Sequence, residues 1–134
     1  MKSKQLRIIL LILVIVFSLY ACSKTRIAAD QDVTLLFIYE DKNITATLTD
    51  EEAAKVIEIL NGNTYDPTIL FGSPSCGFGD NVALKVGDRT FSIASDGCNC
   101  IRDGYNRMYF DIPEADMAYI HSLFERYGGY FPCV

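Results

Sequence analysis

Cysteine carries most of the chemistry available to this chain, at Cys22, Cys76, Cys98, Cys100 and Cys133. Thiols can staple a fold as disulfides, exchange with other disulfides or hold a soft metal, and spacing and compartment decide among these. After Cys22, an even number remains, which in a small exported domain predicts two disulfides with three possible connectivities. Cys98-Asn99-Cys100, if extended, is expected to project its two thiols to opposite sides and so to take separate partners. Cys76 and Cys133 are then the natural partners, with the pairing open. In the loop-entropy account, closing Cys76 to Cys98, or Cys100 to Cys133, would stabilise the fold by roughly 3 to 4 kcal/mol each. The alternative is a thiol site in which Cys98 and Cys100 hold a soft ion such as Cu(I) or exchange disulfides. The chain has no CxxC pair and no second metal-like pair to support it, so no metal ligand is assigned.

The remaining reactive side chains read as structural. His121, the one histidine, flanks the apolar stripe Met117, Ile120 and Phe124, without a serine or cysteine nucleophile motif beside it. Asp96, Asn99 and Asp103 do not match the spacing of an EF-hand calcium loop and are expected to form turns. Glu51 and Glu52 stand in the first turn of a helix, where capping accounts for them. No catalytic residue and no cofactor is assigned, and the chain is not expected to be an enzyme.

What must position these groups begins after an address. Lys2, Lys4 and Arg7 precede an unbroken apolar run from Ile8 to Phe17, followed by Leu19-Tyr20-Ala21-Cys22, the basic, apolar and small-residue order of a secretory signal. Those last four residues resemble the lipobox of bacterial lipoprotein signals, with an aliphatic residue three before the cysteine and a small one directly before it. Tyr20 departs from the pattern, since a smaller residue is usual there. The resemblance implies cleavage before Cys22, lipidation of that cysteine with palmitate among its acyl chains, and a domain held at the extracytoplasmic side of the cell membrane. A membrane-spanning anchor would need roughly 20 apolar residues. Residues 1–21 are thus read as signal peptide, 22–32 as lipidated cysteine and tether without fixed structure, and 33–134 as one domain. The net charge of −5 becomes −8 once the signal's three cations leave. Such acidity repels phosphate backbones and argues against a nucleic-acid partner.

Within the domain, Val33 to Tyr39 and Ile44 to Leu48 read as a β-hairpin, the second strand alternating Ile44, Ala46 and Leu48 with two threonines. Thr49-Asp50-Glu51-Glu52 is a capping box opening a helix with Ala53, Val56, Ile57 and Leu60 on one face, and Gly62 is placed to end it in a left-handed cap. A long loop over 63–80 leads to a second hairpin, Asn81 to Val86 and Thr90 to Ala94. Residues 95–106 read as another loop, Arg107 to Ile112 as a strand, and Pro113 as the first position of a helix running to about Tyr127, stopped by Gly128-Gly129. Laying Leu48-Thr49-Asp50 on Ile112-Pro113-Glu114 suggests a ββα repeat. The expected architecture is α+β: a mainly antiparallel sheet of about five strands with two helices on one face and two disulfides. The order of elements resembles the β-lactamase-inhibitor-protein type of module, a likeness that implies no function.

Three classes of function follow. The first is a surface-tethered binding or inhibitory module for an extracytoplasmic protein or peptide, with Phe71, Phe78, Asp80, Asp96, Asn99 and Tyr105 as candidate contacts on its loops. The second is a thiol-dependent redox or soft-metal protein using Cys98 and Cys100, and the third a structural component of the envelope.

Overall fold

The computed structural model describes residues 2–21, 25–66, 76–105 and 107–128. Helix α1 (Lys2–Ala21) stands first. Each side chain from Ile8 to Phe17 is between 48% and 72% exposed. Ten consecutive residues at about 100° per step reach every side of a helix, so α1 is apolar all round instead of carrying one stripe for a core. Among the described residues, no helix is long and apolar enough to cross a membrane.

Six strands follow in one antiparallel sheet: β1 (Val33–Tyr39), β2 (Lys42–Thr47), β3 (Val82–Val86), β4 (Arg89–Ile93), β5 (Cys100–Asp103) and β6 (Met108–Asp111). Their spatial order is β2-β1-β3-β4-β5-β6. The chain crosses from β2 to β3 through helix α2 (Asp50–Gly62), and β6 leads into helix α3 (Glu114–Arg126). Hairpins at the two edges, β1–β2 and β5–β6, therefore each feed a helix.

Alternation along the strands sets the layers. Leu35 pairs with Ala46 and Leu84, Leu84 with Phe91, and Ile101 with Ile93 and Phe110, so one face of the sheet is apolar across its width. Val56, Ile57, Ile59 and Leu60 of α2 and Met117, Ile120, Leu123 and Phe124 of α3 close over that face as a single core. Full burial of one such side chain stabilises the fold by roughly 1.5 to 3 kcal/mol relative to exposure.

The helices are tied end to end in opposite senses. Thr49 caps α2 as the sequence predicts: its hydroxyl accepts from the Glu52 N–H at 3.3 Å, and the Glu52 carboxylate accepts from the Thr49 N–H at 3.1 Å. The same carboxylate accepts from the Tyr127 hydroxyl at 2.5 Å and from Arg126, joining the start of α2 to the end of α3. Glu52 is 7% exposed, and these donors, the Tyr127 hydroxyl foremost, hold its carboxyl below the usual range despite burial.

Several expectations need correction. The sheet has six strands, because β5 lies inside 95–106, a segment whose Asp96-Gly97 and Asp103-Gly104 pairs read as turns. Gly62 is the last helical residue and not a left-handed cap; Asn63 is extended, and its amide donates to the Ile59 carbonyl at 2.7 Å, occupying an orphan acceptor of the last turn. Gly128 does adopt a positive φ of 90° after α3, while Pro113 sits at the cap position and not inside the helix.

The segment read as an unstructured tether is docked from Thr25 onward. Thr25 is 3% exposed, and its hydroxyl donates to the Tyr65 hydroxyl at 2.8 Å. Ile27 exchanges two backbone bonds with the Asn61 side chain, both 2.9 Å, and packs against the core.

The lowered Glu52 carboxyl stabilises the fold above its unfolded value near 4.5, and that contribution is lost as pH falls through the folded value. Urea titrations of the wild type between pH 7 and pH 3 should show stability falling below about pH 4.5, and Glu52→Gln should be less stable at pH 7 with a flatter pH profile. An unchanged profile in the variant would refute the role assigned to this carboxylate.

Candidate functional site

Three of the cysteines gather at one end of the sheet, where β4 ends and β5 begins. The segment Cys76–Asp80 lies on the face of β4 to β6 away from the helices, held by main chain, charge and ring contacts. The Ser95 N–H and hydroxyl donate to the Gly77 carbonyl at 3.0 and 2.7 Å. A Cβ on Gly77 would stand 2.7 Å from the Ser95 Oγ, which would have to rotate away from its bond to the Gly77 carbonyl. Asp80 accepts from the Ser92 hydroxyl at 3.1 Å and from Arg102 at 3.2 Å. Phe78 meets Tyr109 at 5.2 Å between ring centroids, with the Arg102 guanidinium 5.6 Å from the Phe78 ring.

This packing places Cys76 beside the 95–99 turn. Asp96 accepts from the Cys98 N–H at 3.2 Å, and Gly97 takes a φ of +81°. The sulfurs of Cys76 and Cys98 and a carboxylate oxygen of Asp96 all lie within 4.8 Å of one another. Cys100 is separate, buried in the first position of β5 against Ala94 and Tyr109. Extension alone would not part Cys98 from Cys100, because residues two apart in a strand share a face. The chain turns before β5 begins at Cys100, where the Cys100 N–H donates to the Cys98 carbonyl at 2.8 Å, so the two cysteines do not lie on one extended strand.

Cys76, Cys98 and Cys100 all carry free thiols, so no disulfide is present among the described residues; Cys22, Phe71 and Cys133 lie outside them. The neighbouring Cys76 thiol, then Asp96, push the Cys98 thiol up to about 12. Burial, then Asp111, push Cys100 to about 12, and burial raises Cys76. A thiol at that value has a thiolate fraction of roughly 10⁻⁵ at pH 7, against a few per cent for an ordinary cysteine. Exchange catalysis needs a low thiol pKa, so this environment disfavours rapid exchange.

Of the expected loop contacts, Phe78, Asp80, Asp96 and Asn99 share the thiol end; Asn99 is exposed and its carbonyl accepts from the Ile112 N–H at 2.8 Å. Tyr105 lies at the opposite end of β5, 81% exposed. His121 is half-buried on α3, its pKa lowered by burial.

That opposite end holds a polar network the sequence reading missed. Asp103, read as a turn former, is wholly buried on the helix-facing side of β5, in phase with Ile101. Its carboxylate accepts from Arg89, from the Tyr65 hydroxyl at 2.7 Å and from the Tyr105 N–H at 3.0 Å. Arg89 also reaches the Tyr65 hydroxyl at 3.3 Å and lies 5.1 Å from the Phe91 ring centroid. The available signal is the alternation in Cys100-Ile101-Arg102-Asp103, which the flanking Asp-Gly pairs mask.

Comparison with protein-family models, with curated proteins and with solved structures found no match.

On reduced protein at pH 8, iodoacetamide should modify Cys98 far more slowly than a cysteine in an unstructured peptide, read by mass spectrometry of digests. Asp96→Asn should speed that reaction by about tenfold or more, since one pKa unit is tenfold in thiolate. Equal rates in wild type and variant would contradict the electrostatic account.

Proposed function

We propose that this chain is the precursor of a lipid-anchored extracytoplasmic protein, cleaved before Cys22, whose folded part is a small binding or inhibitory module. The observation that carries the anchor is α1: ten exposed apolar side chains on all sides of one helix, after Lys4 and Arg7 and before Leu19-Tyr20-Ala21-Cys22. A contiguous apolar surface of that extent calls for a membrane or a partner. A diacylated cysteine brings two acyl chains, which suffice for stable anchoring where one does not. The partner would be an extracytoplasmic protein or peptide, met by Phe78, Asp80, Asp96 and Asn99, which the fold collects at one end.

In the oxidising compartment this implies, Cys76 and Cys98 form the first of two staples, and Cys100 is left for Cys133. Their proximity supports that pairing, and closing the intervening loop would stabilise the domain by roughly 3 kcal/mol. The same proximity supports a second reading, because two thiols and a carboxylate within 4.8 Å of one another suit a borderline or soft cation such as Zn²⁺.

Labelled palmitate should enter the wild-type protein and disappear with Cys22→Ala; label that persists would sink the anchor. On the purified mature domain, thiol counting without reductant should find none, and full reduction in denaturant should release Cys76, Cys98, Cys100 and Cys133. Two titratable thiols with stoichiometric zinc or copper would instead establish the metal reading.

A further inference from the structure

The docked stretch after Cys22 bears on how an anchored domain would stand. Only three peptide steps separate Cys22 from Thr25, at most about 11 Å of chain. Thr25 is already part of the fold, buried to 3% exposure and bonded through Tyr65 to the Arg89 and Asp103 pair. Ile27 is clamped by Asn61, and Gln31 lies against Gly87 of the β3–β4 turn. Residues 25–32 therefore run along the end of the sheet that bears the β3–β4 and β5–β6 turns. The headgroup layer is about 5 to 8 Å deep on each side of a bilayer, so an 11 Å leash leaves this end within a few ångströms of it.

Resting on the lipid anchor proposed above, we infer that this end of the sheet lies on the membrane surface, with the β5–β6 turn lowest and Tyr105 at headgroup level. Outside α1, Tyr105 is the one exposed large aromatic side chain among the described residues, and tyrosine favours the boundary between headgroups and hydrocarbon. Arg89 lies 5.7 Å from its ring centroid, and exposed Arg26 and Arg107 flank the same corner. Cations there offset the repulsion that an acidic domain meets at anionic headgroups. Exposed Asp30, Asp32 and Asp88 lie toward the β1 and β3 side, which tilts the contact toward the β5–β6 turn. The thiol end is consequently carried away from the lipid by the length of the strands; β5, whose four residues lie between the thiols and the Tyr105 turn, spans about 13 Å. Phe78, Asp80 and Asp96 then face outward, where a partner can reach them.

The chain has no tryptophan, so one introduced residue is the sole indole emitter. Tyr105→Trp and Asn99→Trp proteins, matured in an expressing bacterium, would be placed in phosphatidylcholine vesicles with 20% phosphatidylglycerol, with and without bromine on the acyl chains. Intact mass first confirms lipid on Cys22; its absence would remove the anchor reading and this inference together. In lipidated protein, Tyr105→Trp should emit to the blue of Asn99→Trp and be quenched several-fold more strongly by brominated lipid. Equal, weak quenching in both would overturn the orientation while leaving the anchor intact. Inserting 20 Gly/Ser residues between Lys24 and Thr25 adds about 25 Å of mean reach and should abolish the difference. Quenching that survives the insertion would overturn the short leash as its cause.

Discussion

One apolar face, continuous across six antiparallel strands, sets what the rest of the domain must do. Val33, Leu35 and Phe37 of β1 lie on it, and the paired positions of β3, β4, β5 and β6 extend it to the far edge. Water has to be excluded from that surface, and a single 13-residue helix, about 20 Å long, cannot cover it. Two antiparallel helices do so, which is why Glu52 matters beyond its capping role: it joins the beginning of α2 to the end of α3 and holds the cover together.

The polar exceptions to that face are confined to one end. Asp103 occupies a core-facing position with no exposure, and a carboxylate there is tolerable because Arg89, Tyr65 and the Tyr105 N–H surround it. Removing one partner of such a pair would strand a buried charge, at a cost of about 3 to 5 kcal/mol. The network also draws in Thr25, so the entry of the chain into the domain is tied to the same charge that closes the end of the core.

The opposite end and outer face are organised differently. Cys76 to Asp80 fold onto β4, β5 and β6 through a small second cluster of Ala94, Cys100 and Tyr109. This packing brings Cys76 to Cys98 and raises both thiols, leaving chemistry that depends on loss of a proton to oxidation or a cation. The long axis of the strands thus separates a chain-entry end from a thiol end, and the proposed anchor and the Phe78, Asp80 and Asp96 contacts fall at opposite ends of the sheet.

Local patterns carried much of this in the sequence. Alternation in Ile44, Ala46 and Leu48, the Thr49–Glu52 capping box, and the helical spacing of Met117, Ile120, Leu123 and Phe124 are properties of neighbours, so the two helices and most strands were legible, as was the α+β class. The β5 strand was not, because four residues between turn-forming pairs carry too little periodicity to declare themselves. Asp103 is a charge whose burial depends on Arg89 fourteen residues away and Tyr65 thirty-eight away. Thr25 likewise reads as tether until Tyr65 is placed beside it. Cys76 meets Cys98 only because Gly77 and Phe78 pack on a face that exists after β4, β5 and β6 have paired. Side-chain period and cap chemistry are written along the chain; which distant polar groups share a buried end is decided when the sheet closes under its helices.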